Sequence, residues 1–304
     1  MLTGWAGQLS IGQWGFAGVG GVIGSALVTR WHVSFWLALL DAAIAAGAMA
    51  FVLGLPALRL EGSELAVVTL GFAVAASTWL FNQDWFRGDG FLPRPSYLGT
   101  TELYFVCVGF LAVSLVGARA LQNSRVGRTM VAVRDNPAQA ASMGISVVRA
   151  KLTAFVLSGF VAGAAGFLFA AAVNQAQGSV FPPERSLEIV TAVVIGGLGS
   201  ISGAVVGSAY LLGVPYFGGE ISPYIGLLST GIGLLALLLF LPGGLTRVVS
   251  QARDRLAKAV TGIDPRPDVV PQSTDTERSL VIGRDSRQTK DQRTPAQAPA
   301  AVRA

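Results

Sequence analysis

Cysteine occurs once in the 304 residues, at Cys107, and histidine once, at His32. A lone thiol allows no intrachain disulfide and leaves the redox compartment unread; inside its apolar run it reads as a small buried hydrophobe. With one imidazole in the chain there is no Cys/His set to hold a metal and no pair for nucleophilic catalysis. Lysine is confined to Lys151, Lys258 and Lys290, none of which follows a glycine-rich turn. The G-x-x-x-x-G-K-[ST] phosphate loop is therefore missing, and the chain does not hold ATP in that way. Charged residues make up 13%, against roughly a quarter in soluble domains. The net charge of +5 comes mostly from arginines in loops and tail, a distribution that offers no face to nucleic acid. The start, "MLTGWAGQLSIGQ", has no basic n-region, apolar stretch and small-residue cleavage site in succession, so no cleaved signal peptide is expected. These absences argue against an enzyme and against a bound cofactor or metal.

Apolar residues, by contrast, reach 52%, with 38 glycines. Crossing a ~30 Å hydrocarbon core takes about 20 apolar residues in a helix, and several segments reach that length. An all-α, polytopic transmembrane bundle is expected, with membrane lipid as its solvent. Residues 14–29 are short and crowded with glycine, which predicts a broken or steeply packed helix. Residues 33–53 form a full span that carries Asp41 and is closed by "GLPALRLEGSE". Further spans are expected at 65–81, 103–118, 152–173 and 223–241, with 82–100 an external loop against the interface. In loop 119–151, Arg119, Arg125, Arg128, Arg134, Arg149 and Lys151 stand against one acid, Asp135; by the positive-inside rule this loop is cytoplasmic.

Residues 187–212 are apolar but interrupted by "GGLGSISG". One full span there would put loop 119–151 and the basic segment after residue 245 on opposite sides. Both are basic, so a re-entrant pair of half-helices is preferred, buried in protein or lining a cavity. The membrane domain then covers 1–246. An amphipathic cytoplasmic helix follows at 247–261, its stripe starting at Leu245 and Val248, and a disordered tail at 262–304.

An acid inside a span costs ~2.5 kcal/mol or more on insertion scales. Asp41 is therefore expected to face the bundle or a watery path, with Thr69 or Ser77 as partner. The stretch 7–27 echoes 196–212 in glycine and serine placement. Paired glycine-interrupted segments mark a transport path near the midplane, while close helix packing explains the same glycines. Asp41, Thr69, Gly196, Gly197 and Gly199 are the candidate pathway residues. Glu184, Arg185 and Glu188 flank the outer mouth, as solvated charges or as a docking point.

Within the basic loop, "RDNPAQAASMG" has its own start and stop signals. Asn136 or Asp135 caps, Pro137 takes the first helical position, and Gly144 supplies a left-handed stop. A helix of roughly seven residues, about 10 Å long, is expected. Alone it is marginal in water. Ala140, Ala141 and Met143 would point outward as a small, adaptable apolar surface that suits a groove on another protein, or the segment is an ordered connection.

The stretch "AVRDNPAQAASMGISVVRAKLTAFVLSGFVAGAAGFLFA" resembles the loop and following helix of the branched-chain amino acid ABC transporter permeases, the second permease subunit of the pair. "GWAGQLSIGQWGFAGVGG", "GLPALRLEGSELAVVTLGFA" and "IVTAVVIGGLGSISGAVVGS" agree in order, so the resemblance runs from about residue 3 to residue 246. It implies a multi-pass protein of the bacterial plasma (inner) membrane. It also implies separate ABC ATPase subunits that bind the ATP, a second homologous permease subunit and an extracytoplasmic substrate-binding protein. Asp135, Asn136, Pro137, Ala140, Ala141, Met143 and Gly144 fall on the family's ATPase-coupling helix. Two departures stand out. Family members carry a span before the first block, which here starts at residue 4, so a truncated or late-assigned start is expected; and Trp14 replaces a small residue. Urea or short-chain amides are alternative cargoes. An ion-coupled carrier built around Asp41 and a non-transporting scaffold are the rival classes.

Overall fold

The computed structural model describes residues 2–57, 63–84, 86, 90–92, 95, 98–197 and 199–219. The spans and segments expected at 223–241, 247–261 and 262–304 lie outside these residues. The described residues are helical with no strand; an isolated bridge joins Phe91 to Gln175. Four helices are long and apolar enough to cross a membrane, which makes the chain an all-α polytopic membrane protein.

The centre is a three-helix junction of α2 (Gln13–Trp31), α3 (Phe35–Ala57) and α8 (Val147–Val173). Small residues recur every third or fourth position on the facing stripes: Ala42, Ala46 and Ala50 on α3, and Gly159, Gly163 and Gly166 on α8. A β-carbon added at Gly163 would overlap Ala46 Cβ, one at Gly159 would overlap Ala50 Cβ, and one at Gly20 of α2 would enter the Gly163 backbone. Lipid tails are as apolar as leucine, so helices here gain by close backbone approach, and small residues permit it. Phe35, Phe155 and Phe167 fill the space beside the glycines and are buried. Of the two readings of 14–29, broken or steeply packed, the structure has the second: α2 is continuous and its glycines serve packing. α3 also runs past the expected proline stop, through Pro56 to Ala57. Pro56 lacks the N–H that would bond the carbonyl four residues back, and the helix ends one residue later.

α4 (Ser63–Thr78) lies along α2, and a 3-10 turn at Leu80–Asn82 extends it. Described residues of the segment after it pack against the bundle. Leu92 and Leu98 are buried, and Ser25 Oγ of α2 donates to the Phe91 carbonyl at 3.2 Å. α5 (Thr100–Asn123) stands at the edge, with only Leu103 and Ala118 buried.

The basic loop holds two helices where the sequence suggested one. α6 (Arg125–Asp135) was not foreseen; Ser124 Oγ caps it by accepting from Gly127 N at 3.2 Å. Its signal was Gly127, Met130 and Val133, spaced by three among arginines and all buried. α7 (Pro137–Ser142) follows after one residue.

Past α8, a short 3-10 turn leads to α9 (Glu184–Gly196) and α10 (Ile201–Gly219). A β-carbon on Gly196 would enter the Gly203 carbonyl, and one on Gly207 the Ala192 carbonyl. Those two pairings run in opposite sequence directions, so α9 and α10 form an antiparallel hairpin with an elbow at 197–200. Thirteen residues rise about 20 Å, too little for a ~30 Å core. The segment 187–212 is therefore a broken pair rather than one span.

Candidate functional site

α1 (Leu2–Trp5), the start of α2, α5, α8 and the hairpin line a half-open cavity of about 550 Å³. That lies within the usual range for a small-molecule site, about 300–1,000 Å³. Its wall is mostly apolar, with Val190 and Val193 of α9, Ala162 and Ala165 of α8, and Leu115 of α5. Thr3, Ser114 and Ser200 also line it, and a polar strip crosses it. Gln13 Nε2 donates to Ser10 Oγ at 3.4 Å, and Ser158 Oγ donates to Gln13 Oε1 at 3.0 Å. Trp14 and Phe169, also in the wall, meet edge to face at 5.1 Å between ring centres. Arg185 of α9 sets its guanidinium 5.9 Å from the centre of the Trp14 ring, a cation–π distance. The unusual Trp14 thus anchors an aromatic floor, and its backbone N–H, free in the first turn of α2, finds Ser186 Oγ at 3.2 Å.

Of the five expected pathway residues, only Gly199 lines this cavity. Gly196 packs against α10, and Gly197, at φ 104°, makes the turn behind the wall. Thr69 is buried and structural: its hydroxyl accepts from Ile11 N at 3.0 Å and donates to the Ala66 carbonyl. Asp41 corrects the expectation most sharply. It is exposed on α3 beside Leu37, Leu40 and Ile44, and neither Thr69 nor Ser77 is its partner. Ala42, Ala46 and Ala50 are committed to α8, and helical geometry turns the stripe through 37, 41 and 44 to the opposite side. Asp41 also lies about 9 Å from the helix start, near exposed Trp31 and Trp36 and not mid-span. The residues that reasoning from sequence missed are Gln13, Ser158 and the α5 wall; no motif marked them, because they converge only through helix packing.

The loop knob is built as its sequence signals required. Asn136 Oδ1 accepts from Gln139 N at 3.0 Å, and Asp135 instead pairs with Arg134 at 2.8 Å. At the other end Ile145 N donates to Ala140 O and Gly144 N to Ala141 O, with Gly144 at φ +79°. This paired pattern satisfies the last carbonyls and needs a left-handed residue at 144. The helix has six residues. Ala141, Met143 and Pro137 are exposed, Met143 by 70%. Ala140 is turned inward, against the expectation, and packs with Val133 of α6 and Ala150 of α8.

A bundle of closely packed helices around an apolar cavity, with a broken hairpin in its wall and a capped knob on a basic loop, defines a membrane permease. The family model described as branched-chain amino acid transport system / permease component matches residues 1–241, and the chain belongs to that family. It is a multi-pass protein of the plasma membrane. The high-affinity branched-chain amino acid transport system permease protein LivM of Salmonella typhimurium is 29% identical over 277 residues, 81% of this chain and 65% of the relative. LivM of Escherichia coli K12 is 31% identical over 232 residues, 66% of this chain and 55% of the relative. The L-arabinose ABC transporter permease protein AraH of Azospirillum brasilense is 29% identical over 214 residues, 65% of this chain and 59% of the relative. The chain spans less than two thirds of the length of each. No solved structure matches it.

Proposed function

We propose that this chain is the transmembrane permease subunit of an ABC importer for branched-chain or related amino acids. Separate ATPase subunits bind the ATP and dock on α7 at the cytoplasmic face. A second homologous permease subunit completes the pathway, and an extracytoplasmic binding protein delivers the substrate. The carrying observation is the cavity: a mostly apolar wall with a few polar side chains, the Ser–Gln–Ser strip among them, suits an aliphatic side chain attached to a polar head. The family description and the two LivM relatives support the same cargo.

The test is uptake by vesicles that hold the complete transporter. Labelled leucine, isoleucine and valine are expected to enter with ATP and binding protein, insensitive to ionophores, and not to be displaced by arabinose or urea. Solute movement by the purified chain alone down an ion gradient would overturn the reading.

A further inference from the structure

We propose that Arg134 is a positioning residue that joins the docking loop to the cavity wall, so that displacement of α7 is delivered to the hairpin elbow at Gly199. This rests on the reading of α7 as the ATPase dock.

Arg134 stands in the last turn of α6. Its Nε and Nη2 both donate to Asp135 Oδ1, at 2.9 and 2.8 Å, and its remaining nitrogen, Nη1, donates to the Gly4 carbonyl of α1. Asn136, the cap of α7, is two residues on. The guanidinium therefore bridges the root of the knob and α1 directly. Beyond it the contact is backbone on backbone. A β-carbon on Gly4 would overlap Gly199 Cα, and the Trp5 indole N–H donates to the Gly199 carbonyl at 3.2 Å. Gly199 sits at φ +86°, and with Thr3, Gly4, Trp5 and Ser200 it forms one end of the cavity. Arg134 is thus the polar link on the route from knob to cavity, beside the apolar cluster that holds Met130 of α6 with Leu2, Trp5 and Ala6. Arginine suits the place because its planar fork holds two acceptors in fixed relative geometry, which a lysine point charge does not. The knob has a second attachment through Ala140, Val133 and Ala150, but that leads into α8. α8 is locked against α2 and α3 by glycine–alanine contacts, so this second attachment meets a rigid element.

The experiment uses the complete transporter in vesicles, with Cys107→Ser and with Ser202→Cys as reporter on the exposed side of the elbow. The labelling rate at position 202 is read with and without ATP. The parent is expected to show an ATP-dependent change in that rate. Arg134→Gln is expected to keep ATPase association and hydrolysis while losing the change in labelling and at least tenfold of uptake, with Arg134→Lys intermediate. Asp135→Asn, at an exposed pair that leaves the fold intact, is expected to lower uptake several-fold. Normal uptake and labelling in Arg134→Gln would overturn the proposal and leave the importer reading standing. Should Arg134→Gln fail to assemble, normal values in both Arg134→Lys and Asp135→Asn would overturn it equally. A parent complex that neither binds ATPase nor imports would defeat the importer reading itself.

Discussion

A β-carbon added at Gly166 would enter the carbonyl of Ala17, whereas at Gly109 or Gly117 of α5 it would meet nothing within 4 Å. The same residue type therefore does opposite things in one chain. Gly166→Val is expected to destabilise by about 1–3 kcal/mol or more, the usual cost of overpacking. Gly117→Ala is expected to stabilise by roughly 0.5–1 kcal/mol, since a helical glycine without a neighbour only adds freedom to the unfolded chain. Unfolding midpoints in detergent check both, and equal shifts would remove the three-helix junction as the core. Sequence pattern announced that glycine mattered here, but it did not separate these two groups. That depends on which helix stands opposite.

α7 shows how far local signals reach. Cap, first-position proline and left-handed stop are short-range features, and each was legible because its partner lies within five residues: Asn136 with Gln139, Gly144 with Ala141, Ile145 with Ala140. Asn136→Ala is expected to cost about 0.5–2 kcal/mol of helix stability. Faster hydrogen exchange at the Gln139 amide would report it. Ala141→Trp enlarges an exposed position, so thermal stability is expected to stay unchanged while ATPase association falls at least tenfold, about 1.4 kcal/mol. Titrating the ATPase subunit against the variant measures this, and unchanged affinity would take α7 out of the dock. The inward turn of Ala140 was not legible. Six residues make too little periodicity to tell faces apart, and the deciding contact is with Val133 and Ala150 on other helices.

For the whole molecule, the placement of Asp41 separates two energy sources. An ion-coupled carrier needs a titratable acid in its path, but Asp41 stands on the outer stripe of α3, away from the cavity-lining residues. Asp41→Asn is therefore expected to retain uptake within about twofold, and ATP depletion to abolish it; a large loss in Asp41→Asn with ionophore-sensitive uptake would favour the carrier. α5 lines one side of the cavity with Ser114, Leu115 and Ala118, and only Leu103 and Ala118 of its residues are buried. Read alone, the sequence determined the solvent, the helical class, the broken hairpin and the knob, because run length, charge bias and turn residues are properties of neighbouring positions. Only the tertiary structure decided which side of α3 carries Asp41, which glycines bear packing, and that residues 4, 134 and 199 meet. Those are distances between segments far apart in the chain, set by how close small residues let the helices come.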